Sequence, residues 1–355
     1  MTVDCSRPPP HHDPPPIPTQ ADDPPAAATA KPNVDLMGAA ALGVGGMMGA
    51  GLYTLLGLAA RSAGVLLLLA FLLAGVAASF SVYSYARLGM AFPGCGGGAH
   101  FLMASLGNSD VCASLNVFQY VAYLIATSLY GAGFADDVGA LARGHLPLTA
   151  TRLIGAACVL VFSLVNLMGP QLVNRSQKLI ITAELTILAL LLLLGVTHAD
   201  PSLMVATPWP HGLGVVPAAG LLYVTFQGFG VVTNAAEDMK SPKTELPKAM
   251  FLALAIVLLG YLLVSLLVVC LLSVVEIEQD AGHVLAIAGA AVLGQTGFLV
   301  IAAAAILATA SAVNATLFAS ANIGADLAVN GQLPSRLAQP WLGRGTVAFP
   351  YPPRW

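Results

Sequence analysis

Charge is what this chain of 355 residues has least of: 9% of its residues are Asp, Glu, Lys or Arg, against roughly a quarter in soluble domains. With 57% of the residues hydrophobic, that scarcity excludes an ordinary soluble globule and points to an integral membrane protein. Paired cysteines are missing as well. Cys5, Cys95, Cys112, Cys158 and Cys270 are odd in number, scattered and free of any CxxC pair, so neither a disulfide frame nor a metal or redox motif is expected. Strict apolar–polar alternation is absent from runs such as "VLLLLAFLLAGVAASF" and "LTILALLLLLGV", which removes a β-barrel. No basic cluster interleaved with aromatics occurs and the formal net charge is −3, so no nucleic-acid partner is expected. HExxH, a properly flanked phosphate loop and a nucleophile–base pair are all lacking. The chain is therefore expected not to be an enzyme, with no catalytic residues, no cofactor and no metal.

Long apolar runs are present in abundance. A helix needs about 20 apolar residues to cross hydrocarbon, and such runs recur at 36–58, 64–87, 111–134, 152–168, 178–198, 215–236, 248–273 and 292–319. The expected fold class is all-α, a polytopic bundle in a lipid bilayer. Residues 1–33 are rich in proline and poor in packable side chains, and read as a disordered tail; the His11–His12 pair within it is taken as incidental. The expected organisation is a 1–33 cytoplasmic tail, a 34–333 transmembrane bundle and a 334–355 cytoplasmic C-terminal tail. If the first tail is cytoplasmic, Arg7, Lys31, Arg87, Arg175, Lys178, Lys240, Lys243, Lys248, Arg336, Arg344 and Arg354 fall inside, and Arg61, Arg143 and Arg152 outside. The positive-inside rule favours that orientation, with both termini cytoplasmic and the protein in the cytoplasmic membrane.

Two of these runs carry residues that suit helices poorly. "GVGGMMGAGL" places Gly43, Gly45, Gly46, Gly49 and Gly51 near the middle of the first span, and "YVTFQGFGVV" places Gln227, Gly228 and Gly230 at similar depth in the sixth. Backbone that leaves the helix at bilayer depth survives only where it is buried in protein or lines a cavity. The two spans are five apart and so run in opposite directions, as in inverted-repeat transporters. Amides freed at a half-helix start suit a carboxylate, and freed carbonyls suit an ammonium or cation. Gly45 and Gly49 also form a GxxxG helix-packing motif. The GxGxxxG spelled by Gly43, Gly45 and Gly49 lacks the preceding strand of a dinucleotide loop.

Polar side chains inside spans supply further candidates. Glu184 in "KLIITAELTILAL" lies about two turns inside the fifth span, where a carboxylate demands either a partner, such as Lys178 or Arg175, or a role. Thr309 and Ser311 in the eighth span are a candidate sodium site, although such hydroxyls often bond their own backbone. Glu237 and Asp238 beside Lys240 and Lys243 read as a solvated gate, and Asp136 and Asp137 as a wet rim.

Four blocks in order resemble the amino acid/polyamine/organocation (APC) permeases: "LGVGGMMGAGLYTLLGLAARSAG", "YSYARLGMAFPGCGGGAHFL", "YVTFQGFGVVTNAAEDMKSPKTELPKAM" and "LATASAVNATLFASANIGADLAVNGQLPSRLA". The resemblance implies a leucine-transporter-like inverted-repeat bundle working by alternating access. It implies a secondary active transporter of amino acids or related amines, driven by protons or by an exchanged solute. Carried over by position, Met48, Gly49, Ala50 and Gly51 would hold the substrate carboxylate. Phe226, Gln227, Gly228 and Phe229 would line the amine side, with Phe226 either a lid or an ordinary core ring. In some members a lysine at the position of Glu184 is linked to proton coupling, which makes Glu184 the coupling candidate. Arg87 stands where many members carry an acidic residue, so any ion pair made there must differ, and Gly230 stands where many are acidic or polar, which favours neutral substrates. The family's core has ten spans whereas about eight are expected here, so the second repeat reads as incomplete, as if truncated after the eighth helix. A non-transporting truncated protein, or a scaffold needing another chain, is the alternative.

Overall fold

The computed structural model describes residues 34–92, 97–142, 147–206, 214–279 and 281–334. Both expected tails fall almost wholly outside these residues, together with the His11–His12 pair, Arg143 and the Pro93–Gly96 part of the turn after the second span.

Among the described residues the chain is helical, with no strand and one isolated parallel bridge between Val34 and Met239. The helices are α1 (Leu36–Ala63), α2 (Leu67–Ala91), α3 (Gly98–Leu106), α4 (Asp110–Leu141), α5 (Leu148–Leu167), α6 (Pro170–Gly195), α7 (Ser202–Ala206), α8 (Val215–Tyr223), α9 (Pro242–Leu271), α10 (Val274–Gln279) and α11 (Val284–Val329). A 15-residue 3₁₀ segment, Val224–Asp238, continues α8. Among the described residues, eight stretches are long and apolar enough to cross a membrane, the number expected from hydropathy. The ends differ in places. α6 starts at Pro170 rather than 178, because Asn174 and Gln177, though polar, are helical and buried against other helices. α11 runs to Val329 instead of ending near 319.

The core is built round α1, which packs against the α8–3₁₀ segment, α9, α11 and α6. Its first half is almost wholly buried: Leu42, Met47, Met48 and Leu52 are inaccessible. α4 and α5 are the opposite case, with exposed Phe118, Ile125, Leu129, Leu153 and Leu160, as befits surfaces bathed in lipid tails.

Small residues set how closely α1 and the sixth span approach. A Cβ on Gly46 would lie 3.0 Å from the carbonyl oxygen of Gly228, and one on Gly228 would overlap the Gly46 carbonyl and the Met47 amide. Gly43 faces Val232, and Gly51 faces Thr225, so the two segments run antiparallel with backbones touching at the centre. Such contact at small residues is how membrane helices gain close packing without a hydrophobic drive.

A different glycine device bends α11. Gly294 has φ +60°, a left-handed conformation that side chains disfavour. The turn folds Val284–Val292 back so that Gly289 and Gly297 meet, backbone to backbone.

The Gly46–Gly228 contact carries a test. Gly228→Ala forces a methyl into main-chain atoms that no rotamer change can move aside, an overpacking cost of about 1–3 kcal/mol. Its unfolding midpoint in detergent is expected to fall clearly. Gly220→Ala, in the same span but with nothing within 4 Å of the new methyl, is expected to match or exceed the parent.

Candidate functional site

The first span breaks at one residue. Gly49 has φ −39° and ψ −136°, non-helical inside an otherwise helical α1, at the position the glycine cluster predicts. A helix that stops and restarts leaves carbonyls unpaired before the break and amides unpaired after it. The carbonyl of Met47 finds a partner in α9: the Tyr261 hydroxyl donates to it over 2.7 Å. Beyond the break, the backbone of Ala50, Gly51 and Leu52 begins a new half-helix. Its N-terminal amides and dipole favour a negative group. Ala308 and Ala312 of α11 close in on Gly49, where a Cβ would meet the Ala312 methyl.

The sixth span is interrupted in another way. It does not unwind into a loop; it tightens from α-helix to 3₁₀ helix at Val224. Runs of 3₁₀ beyond three or four residues are uncommon and mark strain or a hinge. Side chains satisfy part of its backbone: Thr225 Oγ1 donates to the Leu222 carbonyl at 2.7 Å, Thr233 Oγ1 to Gly230 at 2.7 Å, and Asn234 Nδ2 to Gly230 at 3.3 Å. Phe226 is inaccessible and packs edge-to-face on Tyr261, ring centroids 5.1 Å apart. Phe229 packs edge-to-face on Tyr85 at 5.3 Å, while Gln227 is exposed. Gly46 and Met47 thus touch Gly228 main chain to main chain and Gly51 lies against Thr225, while Gly49 itself faces Ala308 and Ala312 of α11.

Glu184 of α6 is fully buried, and neither carboxyl oxygen has a hydrogen-bond partner. Lys178, one partner considered for it, pairs instead with Asp35. The polar group facing Glu184 is Tyr53, four residues past the break; its buried hydroxyl approaches the carboxyl as a donor, short of full hydrogen-bond geometry. Thr309 and Ser311 look in different directions, as residues two apart on a helix must. Thr309 Oγ1 lies 3.2 Å from Asp137 Oδ2 and 2.9 Å from its own helix's Ala305 carbonyl. Ser311 Oγ accepts from Gln177 Nε2 at 2.6 Å. Asp137 is accordingly half-buried and hydrogen-bonded, not part of a wet rim, whereas Asp136 is exposed.

Three groupings escaped the sequence reading. The first is Tyr261 on the Met47 carbonyl. The second is a carboxamide chain joining four spans: Asn166 Nδ2 donates to Asn314 Oδ1 at 3.2 Å, Asn314 Nδ2 to Gln177 Oε1 at 2.7 Å, and Gln177 Nε2 reaches the Ala41 carbonyl at 3.4 Å as well as Ser311. Side-chain amides inside apolar runs were the available signal. The third is a clasp at the start of α1. Asp35 accepts from Gly38 N at 3.2 Å as a helix N-cap and from Asn174 Nδ2 at 3.3 Å, and pairs with Lys178. Partial burial works to raise the Asp35 carboxyl, but Lys178, Asn174 and the Gly38 N–H outweigh it and hold it below its ordinary value.

Residues 34–349 match the family described as "Amino acid permease". The chain belongs to that family. It is similar to the inner membrane transport protein YbaT of Escherichia coli, 31% identical over 294 residues, covering 82% of this chain and 68% of that one. It is also similar to the mitochondrial cationic amino acid transporter 3 of Arabidopsis thaliana, 27% identical with 83% and 51% covered. The branched-chain amino acid permease BcaP of Bacillus subtilis is 28% identical, with 68% and 54% covered. The chain spans about half the length of the last two. It is a multi-pass membrane transporter of the permease family and not an enzyme.

Two outcomes check the polar groupings of this permease. Gln177→Leu leaves the buried Asn314 amide only its 3.4 Å contact with Ser176 Oγ and strips the donor from the Ser311 hydroxyl, at a cost of about 1–3 kcal/mol, so its unfolding midpoint in detergent is expected to drop. The Asp35 carboxyl is held low in the folded state, so its contribution is complete above the ordinary carboxylate range and is lost as pH falls through the depressed value. The pair is solvent-exposed, which limits that contribution to about 1 kcal/mol or less. Asp35→Asn is expected to flatten the acid limb of the stability profile by that small amount and leave the neutral limb parallel to the parent.

Proposed function

We propose that this permease carries amino acids with uncharged side chains across the cytoplasmic membrane by alternating access, driven by protons or by exchange. The observation that carries the reading is the break at Gly49. A half-helix start at the centre of the most buried span, pressed against a 3₁₀ segment of opposite direction, is an arrangement suited to a zwitterion. In this reading the amides of Ala50 and Gly51, flanked by Met48 and Gly49, take the carboxylate. The Phe226–Phe229 stretch takes the ammonium on its carbonyls, with Phe226 as the closing ring. Spans one and six touch through Gly46 and Gly228, so admitting a substrate means parting them, and a glycine contact with no interlocked side chains separates at low cost. The absence of any carboxylate from the 3₁₀ segment until Glu237 favours neutral over cationic substrates. The charge distribution of the connections supports cytoplasmic termini.

Glu184 is the coupling group in this reading, since it is buried, makes no full hydrogen bond and faces Tyr53 of the substrate-binding helix. The sodium alternative through Thr309 and Ser311 is less favoured, because the two hydroxyls engage different partners.

Purified protein in proteoliposomes is expected to accumulate labelled neutral amino acids when the outside is more acidic than the lumen. Glu184→Gln is expected to abolish the acceleration by the gradient and to retain counterflow exchange. A protein that takes up no amino acid under either condition, while folded by its unfolding transition, overturns the reading.

A further inference from the structure

Glu184 is sealed from water, yet a second carboxyl, Asp137, shares Tyr53 with it as a neighbour. Asp137, near the C-terminal end of α4, lines a cavity shared with Tyr53 of α1, with Gly282 and His283 ahead of α11, and with Ala286, Phe298 and Ala305 of α11. The cavity has room for about one water. Asp137 feels the charge of His283, and Tyr53 feels both Asp137 and Glu184. His283 and Asp137 are half-buried, while Tyr53 and Glu184 are 6% and 0% exposed. The series thus runs from half-buried to fully buried side chains.

Buried polar atoms without a full hydrogen bond occur at several described side chains, Tyr53 and Glu184 among them. For the Tyr53 hydroxyl and both Glu184 oxygens this is a costly condition that structural groups avoid. Asp137 by contrast is held in place by the Thr309 hydroxyl at 3.2 Å. Among the described residues, the titratable side chains facing Glu184 are Tyr53 from α1 and Tyr261 from α9; Tyr261 is in turn near Tyr130 of α4. Those facing Asp137 are Asp136 of its own helix, Tyr53 and His283. Tyr261 is occupied in donating to Met47, which leaves Tyr53 as the hydroxyl able to pass a proton.

We propose that His283, Asp137 and Tyr53 form the entry route by which protons from the side of the α9–α11 connection reach Glu184. Asp137 takes up a proton from the cavity, with His283 as its exchange partner with solvent. A cavity water relays a proton onto the Tyr53 oxygen as Tyr53 releases its own hydroxyl proton to the Glu184 carboxylate. Each group ends the step with the hydrogens it began with, save Asp137, which loses one, and Glu184, which gains one. The route rests on the reading of Glu184 as the coupling group.

The test uses full-length protein in proteoliposomes and compares gradient-driven uptake with counterflow exchange, which needs no net proton transfer. Asp137→Asn and Tyr53→Phe are expected to lower gradient-driven uptake on the order of 10²-fold relative to counterflow, and Asp137→Glu to recover most of it. Thr309→Val, which frees the carboxyl without removing it, is expected to displace the dependence of uptake on outer pH. Glu184→Gln uncoupled with Asp137→Asn and Tyr53→Phe still coupled overturns the route and leaves the coupling group standing. Glu184→Gln still coupled overturns both. Loss of counterflow together with uptake in Asp137→Asn and Asp137→Glu alike assigns Asp137 to the fold and also overturns the route.

Discussion

Hydrocarbon offers nothing to an unpaired peptide group, and this constraint organises the centre of the bundle. Breaking α1 at Gly49 is tolerable only because other spans meet the cost. Tyr261 supplies a donor to the Met47 carbonyl, the 3₁₀ segment lies against the break, and Ala308 and Ala312 of α11 fill the space beside it. The break thus requires α9, the sixth span and α11 to be in place together, and so it unites the fold and the site in one arrangement. The same demand explains the tightened sixth span, whose side-chain hydroxyls and amide return to its own carbonyls.

Two polar systems lie on either side of that centre and differ in character. Toward the start of α1, every member of the Asn166–Asn314–Gln177–Ser311 chain has a partner, which is how a satisfied network fixes helix positions. Toward the C-terminal half of α1, Glu184 and Tyr53 are left unsatisfied. The first system joins four spans through paired side-chain amides, whereas the second leaves a carboxyl and a hydroxyl short of full pairing.

Much of this was legible in the sequence. Eight apolar runs against 9% charge gave the class and the number of spans, because hydrocarbon thickness sets a length that hydropathy reads directly. The glycine cluster located the break, since glycine at bilayer depth needs a backbone reason. The nature of the sixth interruption was hidden: "TFQGFG" weakens an α-helix but does not say whether the chain unwinds or tightens. Partner choice was hidden too. Lys178 stands six residues before Glu184 yet binds Asp35, 143 positions away, and Asp137 looked like a rim residue until Thr309 came to it from another span. Such pairings are set by which helix faces meet, and no local pattern encodes them. The relatives' names range over cationic and branched-chain amino acids, so family membership leaves substrate charge to the site itself.

From Gly294 to Val329, α11 rises about 50 Å at 1.5 Å per residue, well beyond a hydrocarbon slab of about 30 Å. Its overhang meets α3 and α4, where Asp326 approaches His100 at 3.9 Å and Gln332 joins Asn116 and Asn108. The stretch of α11 that packs beside Gly49 is thus anchored at both ends, by the fold-back at Gly294 and by these contacts.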